Sequence, residues 1–377
     1  MNTFKDHRTA ARLVLGAAVA LNLVALPLAS ATPVYPYSYT DLNPSGFTSS
    51  FGYGISGGQQ VGYGSTTGSD GIPSHTLLWS GTAGSVVDLN PSGFTQSRGY
   101  GISGSQQVGE GHGSASEDWH AFLWSAAGSV VDLNPSGFTG SLAEGISGSR
   151  QVGYGYGSAT GNNQHALLWS GTANSAVDLN PNGITYSYGY GISGSQQVGS
   201  GYGSANGDWH AYLWSGTASS AVDLHPTGFT YSFGLGISGG QQVGYGSPFG
   251  DGYYDHALLW SGTSSSVMDL HPSGFTHSYG YGISGNQQVG YGVTGDEVHA
   301  LLWSGTAGSV VDLGSLLSSD YSDSYAQDID ENGNVIGYAI YIPTGQRHAM
   351  LWTVVPEPGA VTLLVIGGVA FLSRKRC

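Results

Sequence analysis

Residues 75–89 read His-Thr-Leu-Leu-Trp-Ser-Gly-Thr-Ala-Gly-Ser-Val-Val-Asp-Leu, and close variants of this stretch recur along the chain. The motif Trp stands at Trp79, Trp124, Trp169, Trp214, Trp260, Trp303 and Trp352. The Asp of Asp-Leu stands at Asp41, Asp88, Asp132, Asp178, Asp223, Asp269 and Asp312, so the two series interleave at spacings of 43 to 49 residues. A period this long fits a four-stranded propeller blade and is about twice what one coil of a β-helix needs. Within one period, Phe51 to Ser56, Gln60 to Gly64, His75 to Ser80 and Ser85 to Leu89 carry the strand-forming residues, and Gly, Ser and Pro fill the gaps. In the third segment His75, Leu77 and Trp79 alternate with Thr76 and Leu78, so both faces are largely apolar, as sheets stacked between two neighbours require.

The phase of the repeat predicts how the ring closes. Six blades are complete from the first Gly-Ile-Ser segment onward. The seventh supplies Tyr325 to Asp330, Val335 to Ala339 and His348 to Trp352 and lacks a fourth strand. Tyr37 to Leu42 is a fourth-strand sequence with no blade before it. The expected fold is therefore an all-β, seven-bladed propeller over residues 32–354, closed by the N-terminal strand, which removes two bare sheet edges at once. An open array is the alternative.

Composition agrees. With 64 Gly in 377 residues and only 9% charged residues, a helical bundle or coiled coil is excluded. At 40% apolar and 12% aromatic, a large core is affordable and disorder is not expected. The single Cys closes no internal disulfide, so packing must hold the body.

The two ends read as address signals. Lys5, Arg8 and Arg12, the apolar run Leu13 to Leu28 and the small residues Ala29-Ser30-Ala31 describe a secretory signal peptide over residues 1–31, cleaved after Ala31. A retained anchor is the alternative. At the other end (residues 355–377), Pro356-Glu357-Pro358 precedes the apolar run Gly359 to Leu372 and the basic cluster Arg374-Lys375-Arg376. Such a segment is a marginal membrane helix, with its basic end inside and the body outside.

This three-part tail resembles the PEP-CTERM sorting signal of Gram-negative bacteria. The resemblance implies a membrane-embedded exosortase as processing partner, transient anchoring in the inner membrane, and a final address at the cell surface or in the extracellular matrix. A plain C-terminal anchor predicts nearly the same address. The repeat itself resembles the HAF repeat of bacterial extracellular proteins: His120 to Trp124 matches its His-Ala-Phe-Leu-Trp core, and Ile329 to Gly337 matches its hairpin. Blades one to six depart from it, with Ile-Ser-Gly in place of Ile-Asn. The resemblance adds an address and no mechanism.

Few residues carry chemistry. The seven motif His recur in every blade, whereas a catalytic base is needed once, so a structural role beside the recurring Asp is expected. Asp328, Asp330 and Asn332 match the start of a calcium loop, but Ala339 stands where a bidentate Glu is needed and Asn332-Gly333 also reads as a hairpin turn. No cofactor is expected, with calcium at that segment the alternative. Nucleophile elbow, zinc-protease and nucleotide-loop signatures are missing. Outside the two end signals, Arg98, Arg150 and Arg347 face 22 acidic residues, a balance that repels nucleic acid and favours cations or neutral ligands.

Variation between repeats collects in the loop joining the second and third strands, where Trp119, Trp209, Tyr253 and Tyr254 interrupt Gly, Ser and Asp. Aromatic rings beside carboxylates suit sugars. The expected function is thus a non-enzymatic surface protein binding exopolysaccharide or another envelope component, with these residues as ligand contacts or, alternatively, as strand caps. A polysaccharide hydrolase or lyase is a second reading, needing two carboxylates converging on the axis from among Glu117, Asp118, Asp208, Asp251, Asp255, Asp296 and Glu297. A structural spacer is the third.

Overall fold

The computed structural model describes residues 37–67, 73–113, 118–125, 129–203, 207–250 and 254–355. The signal residues Ala29 and Ala31, the tail with Pro356, Glu357, Pro358, Arg374, Lys375 and Arg376, and the loop residues Glu117, Asp251 and Tyr253 lie outside the described residues. The apolar helices expected at the two ends fall there too. Among the described residues no helix is long and apolar enough to cross a membrane.

Those residues form seven four-stranded antiparallel sheets, the blades of a β-propeller. Blade one is Ser49–Ser56, Gln59–Ser65, Ser74–Trp79 and Val87–Asp88, hydrogen-bonded in that order. Blades two to six repeat it. Blade seven is Tyr321–Ile329, Val335–Tyr341 and Gln346–Val354, and its outermost strand is the N-terminal Tyr37–Asp41, with Tyr37 opposite Val354 and Asp41 opposite Met350. The expected closure is present. The first strands begin earlier than the pattern suggested, because Ser49 and Ser50 still pair with Ser65 and Gly64. The fourth strand is shorter, since Ser85 turns back on Thr82 in a 3-10 turn, Ala83–Ser85.

Both faces of each blade are buried, as the alternation predicted. Trp169 and Leu167 of blade three pack against Val108, Leu123 and Leu133 of blade two, and Leu42 packs against Leu77 and Trp79 across the closure. All seven motif Trp are at most 1% exposed.

A repeated polar staple sets the blades in order. In each, the motif His meets the fourth-strand Asp through Nδ1 at 2.7–2.9 Å, from His75 with Asp88 to His348 with Asp41. The residue after that His donates its N–H to a Ser hydroxyl on the first strand of the next blade, as Thr76 does to Ser97 and Ala349 to Ser50. Burial alone would raise the pKa of Asp41, but hydrogen bonds from His348, the Asn43 N–H and Tyr321 outweigh it and hold the carboxyl below its usual range.

Deleting residues 32–43 should therefore strip blade seven of its outer strand and of Leu42, a loss of roughly 2–5 kcal/mol for that side chain alone. Aggregation or a melting temperature lower by roughly 5–10 °C is expected in differential scanning calorimetry. An unchanged melting curve contradicts the closure.

Candidate functional site

The first strands of all seven blades converge on the axis, and the repeat's Gly-Tyr-Gly-Ile-Ser shows how they fit. In blade one the pairing register skips a residue between Gly52 and Gly54, so Tyr53 is the extra residue of a β-bulge. A Cβ on Gly54 would lie 2.7 Å from the Tyr100 carbonyl of the next blade, so no side chain fits there. The bulge residues of the seven blades, Tyr53, Tyr100, Glu144, Tyr190, Leu235, Tyr281 and Gln327, line a single axial cavity of about 450 Å³.

An aromatic belt surrounds the axis. From Tyr154 through Tyr188, Trp209, Phe233, Tyr245, Tyr279, Tyr291, Tyr325 and Tyr338 to Phe51 and Tyr63, successive ring centroids lie 4.7–5.7 Å apart. At blade two the charged pair Arg98 and Glu110 interrupts it, and at blade three Leu142 stands in the place of a ring. Arg98 occupies the place that Phe51 and Tyr279 hold elsewhere, and Glu110 that of Tyr63 and Tyr291. The guanidinium donates to Glu110 at 3.2 Å and to the Ser74 hydroxyl at 3.2 Å, and lies 4.8 Å from the Trp119 ring. Glu110 also accepts from the Tyr100 hydroxyl at 3.0 Å, yet burial keeps its pKa above the usual carboxylate range.

Glu144 stands in a Tyr position and has no such partner. It lines the lumen and is half-buried. Burial, and then the charge of Glu110, push its pKa up to about 8. Asp328, also lining the cavity, is pushed by burial up to about 7, although it accepts the Ile55 N–H at 3.1 Å and its own neighbour's N–H, from Ile329, at 2.9 Å.

Of the residues singled out by sequence, Trp209 opens a third strand and sits within the aromatic belt, touching Tyr188, Tyr202 and Phe233. Trp119 lies between Arg98 and His112. Both are half-buried. Tyr254 is exposed beside His277, and Tyr253 is outside the described residues. Asp330 accepts from the Asn332 N–H, the Asn334 N–H and the Asn334 amide, which is the hairpin-turn reading of the segment. Among the described residues no three His, Cys, Asp or Glu side chains converge; Asp328 lines the axial cavity and Asp330 holds the turn.

Among the described residues the carboxylates that line the axial cavity are Glu144 and Asp328. Asp255 is buried and tied to the Tyr231 and Tyr279 hydroxyls at 2.6 and 2.8 Å. The loops that vary in length do not reveal Arg98, Glu110 and Glu144, which lie on strands. The available signal was charge replacing an aromatic in an otherwise uniform strand.

No protein-family model and no curated protein matches the sequence. Solved structures do. The chain is similar to the β-propeller domain of the Trilobed protease from Pyrococcus furiosus, described as having an open velcro topology (TM-score 0.53, 12% identity, 80% of this chain and 95% of that one). It is similar to the puromycin hydrolase S511A mutant complexed with PGG (TM-score 0.53, 11% identity, 80% and 53%). It is also similar to the acylaminoacyl peptidase of Pyrococcus horikoshii (TM-score 0.51, 11% identity, 83% and 53%). The chain spans about half the length of the latter two. At these identities the likeness is one of fold, a propeller of the kind found in peptidases, and here the ring is fastened by the N-terminal strand.

Arg98→Met should leave Glu110 buried without its cation and lower stability by about 3–5 kcal/mol in urea denaturation. Arg98→Tyr with Glu110→Tyr recreates the Tyr279–Tyr291 pair of blade six and should recover most of that loss. A double variant no more stable than Arg98→Met would refute the pairing.

Proposed function

We propose that this is an exported, non-enzymatic propeller of the cell envelope that binds exopolysaccharide or a related glycan on the face where the second-to-third-strand loops meet the axis. The observation that carries this reading is the aromatic belt, which continues to Trp209 at that face and has Trp119 beside it. Flat rings present apolar surface to the C–H faces of a sugar, while the tyrosine hydroxyls and loop carboxylates offer hydrogen bonds to its hydroxyls. The acidic body disfavours anionic partners. A hydrolytic role needs a second carboxylate opposite Glu144; Glu110 is engaged by Arg98 and Tyr100, and Asp328, the other acid lining the cavity, accepts the Ile55 and Ile329 N–H groups.

The test is retention on immobilised bacterial exopolysaccharide. Trp119→Ala with Tyr253→Ala and Tyr254→Ala should lower retention at least about tenfold, since stacked aromatics carry most of the energy in such contacts. Trp209 packs on three rings and is better changed to Phe, which keeps the belt. Equal retention by wild type and variant leaves these residues as strand caps and removes the glycan reading.

The address rests on the sequence pattern. A PEP-CTERM-like tail fits processing by an exosortase-type enzyme, with the mature body released or re-anchored at the surface. Replacing Pro356, Glu357 and Pro358 by Ala should leave an unprocessed, membrane-held precursor. Mass spectrometry that found Cys377 on the mature wild-type protein would rule processing out.

A further inference from the structure

The cavity on the axis is lined by tyrosines and two acids, and no basic side chain lines it. The contrast between Glu110 and Glu144 is informative. Glu110 has Arg98 and Tyr100 as partners. Among the described residues the Glu144 carboxyl has neither hydrogen bond nor ion pair, although it is half-buried in the wall of the cavity. Tyr53, Tyr100, Tyr154 and Tyr190 lie close enough to feel its charge. An acid with no internal cation, aimed into a tyrosine-walled space, is a half-built ion pair.

We propose that the axial cavity binds an organic ammonium group, its charge against Glu144 and its alkyl carbons against the faces of Tyr53, Tyr100 and Tyr190. A hard metal ion needs several oxygen ligands converging at once, and the acids here do not converge. Aromatic faces with one carboxylate suit a soft alkylammonium instead. The volume, about 450 Å³, is in the range of small-ligand sites. The same chemistry is offered by a free polyamine and by the unacetylated amino sugar of a glycan. The site stands apart from the loop face, because a free amine can be titrated without any polysaccharide.

Proton linkage gives a signature. With its pKa near 8, Glu144 is mostly protonated at pH 7 in the unliganded protein, and a bound cation favours the ionised form. The titratable groups facing the cavity are Asp328, whose carboxyl burial pushes up to about 7, Glu110, with Arg98 behind it, and the four tyrosines, whose own pKa values burial raises, so they stay neutral throughout; the share of the pH dependence that belongs to Glu144 is the part that Glu144→Gln removes with Asp328 intact. Binding at pH 7 should release a proton, and affinity should strengthen as pH rises.

Isothermal titration of the mature chain with tetramethylammonium, whose charge does not titrate, and with putrescine tests this at pH 6.5 and 8.5. Binding on the order of tenfold tighter at pH 8.5 is expected for tetramethylammonium. Glu144→Gln should lose at least about tenfold at pH 8.5 for both amines. Glu144→Tyr, the residue that blades one, two, four and six carry at this position, should lose as much with an unchanged melting curve. Tighter binding of a glucosamine oligomer than of putrescine or the N-acetylated oligomer identifies an amino sugar as the source; the reverse order identifies a free amine. Glu144→Gln binding as wild type does, or no amine binding below about 10 mM, overturns the proposal.

Discussion

The ring depends on one buried hydrogen bond made in every blade: the N–H after the motif His donates to a Ser hydroxyl on the first strand of the blade that follows. From Thr76 to Ser97 round to Ala349 and Ser50, the seven distances fall between 2.9 and 3.1 Å. A propeller's blades touch mostly through apolar faces, which attract without fixing a position. A buried donor is different, since leaving it unpaired costs about 1–3 kcal/mol, and it has one acceptor within reach. In blades one to six the same Ser also bonds the linker residue, as Ser97 does by donating to Asn90 Oδ1. In blades five and six the linker residue is His, and the function survives the change. His225 Nδ1 accepts from Ser232 while Nε2 donates to the Phe229 carbonyl, and burial together with the stacked His210 keeps the ring's pKa low and the ring neutral. The constraint is on hydrogen-bonding capacity at that place, and residue type follows from it.

This explains which parts of the fold were legible. The His, Trp and Asp-Leu positions repeat because each blade must solve the same local problem, and a seven-fold repetition in sequence is readable as such. The closure was legible for the same reason: Asp41 is the His348 partner displaced to the other end of the chain. Strand ends were less so. Val87–Asp88 is two residues long because Ser85 satisfies Thr82 in a turn, a competition between side-chain and ladder hydrogen bonds that composition does not reveal.

The site was legible only in part, and the reason is geometric. Loops that vary in length advertise themselves, so Trp119 and Trp209 stood out; Trp209 stacks on Phe233, which lines the cavity, and Trp119 lies against Arg98. The cavity was hidden because it is made from a bulge. A strand that alternates strictly would turn Tyr53 and its counterparts to one blade face or the other. The skipped pairing between Gly52 and Gly54 frees that residue toward the axis instead. Periodicity reasoning assigns faces by counting in twos, and a bulge breaks the count.

That break also decides where change is tolerated. The glycine after the bulge is held by contact with backbone, as at Gly54, where a Cβ would lie 2.7 Å from the Tyr100 carbonyl. The motif Trp are held by packing on both sides. A bulge residue faces its six equivalents across a lumen, so Tyr, Glu, Leu and Gln all occur there without disturbing a blade. A ring of seven such positions can therefore change the polarity of its lumen one blade at a time while the staple between blades stays the same. Glu144 and Arg98 mark places where an aromatic ring has given way to charge. Only Arg98 comes with a compensating partner built into the chain, and the uncompensated carboxyl is the one that opens onto the cavity.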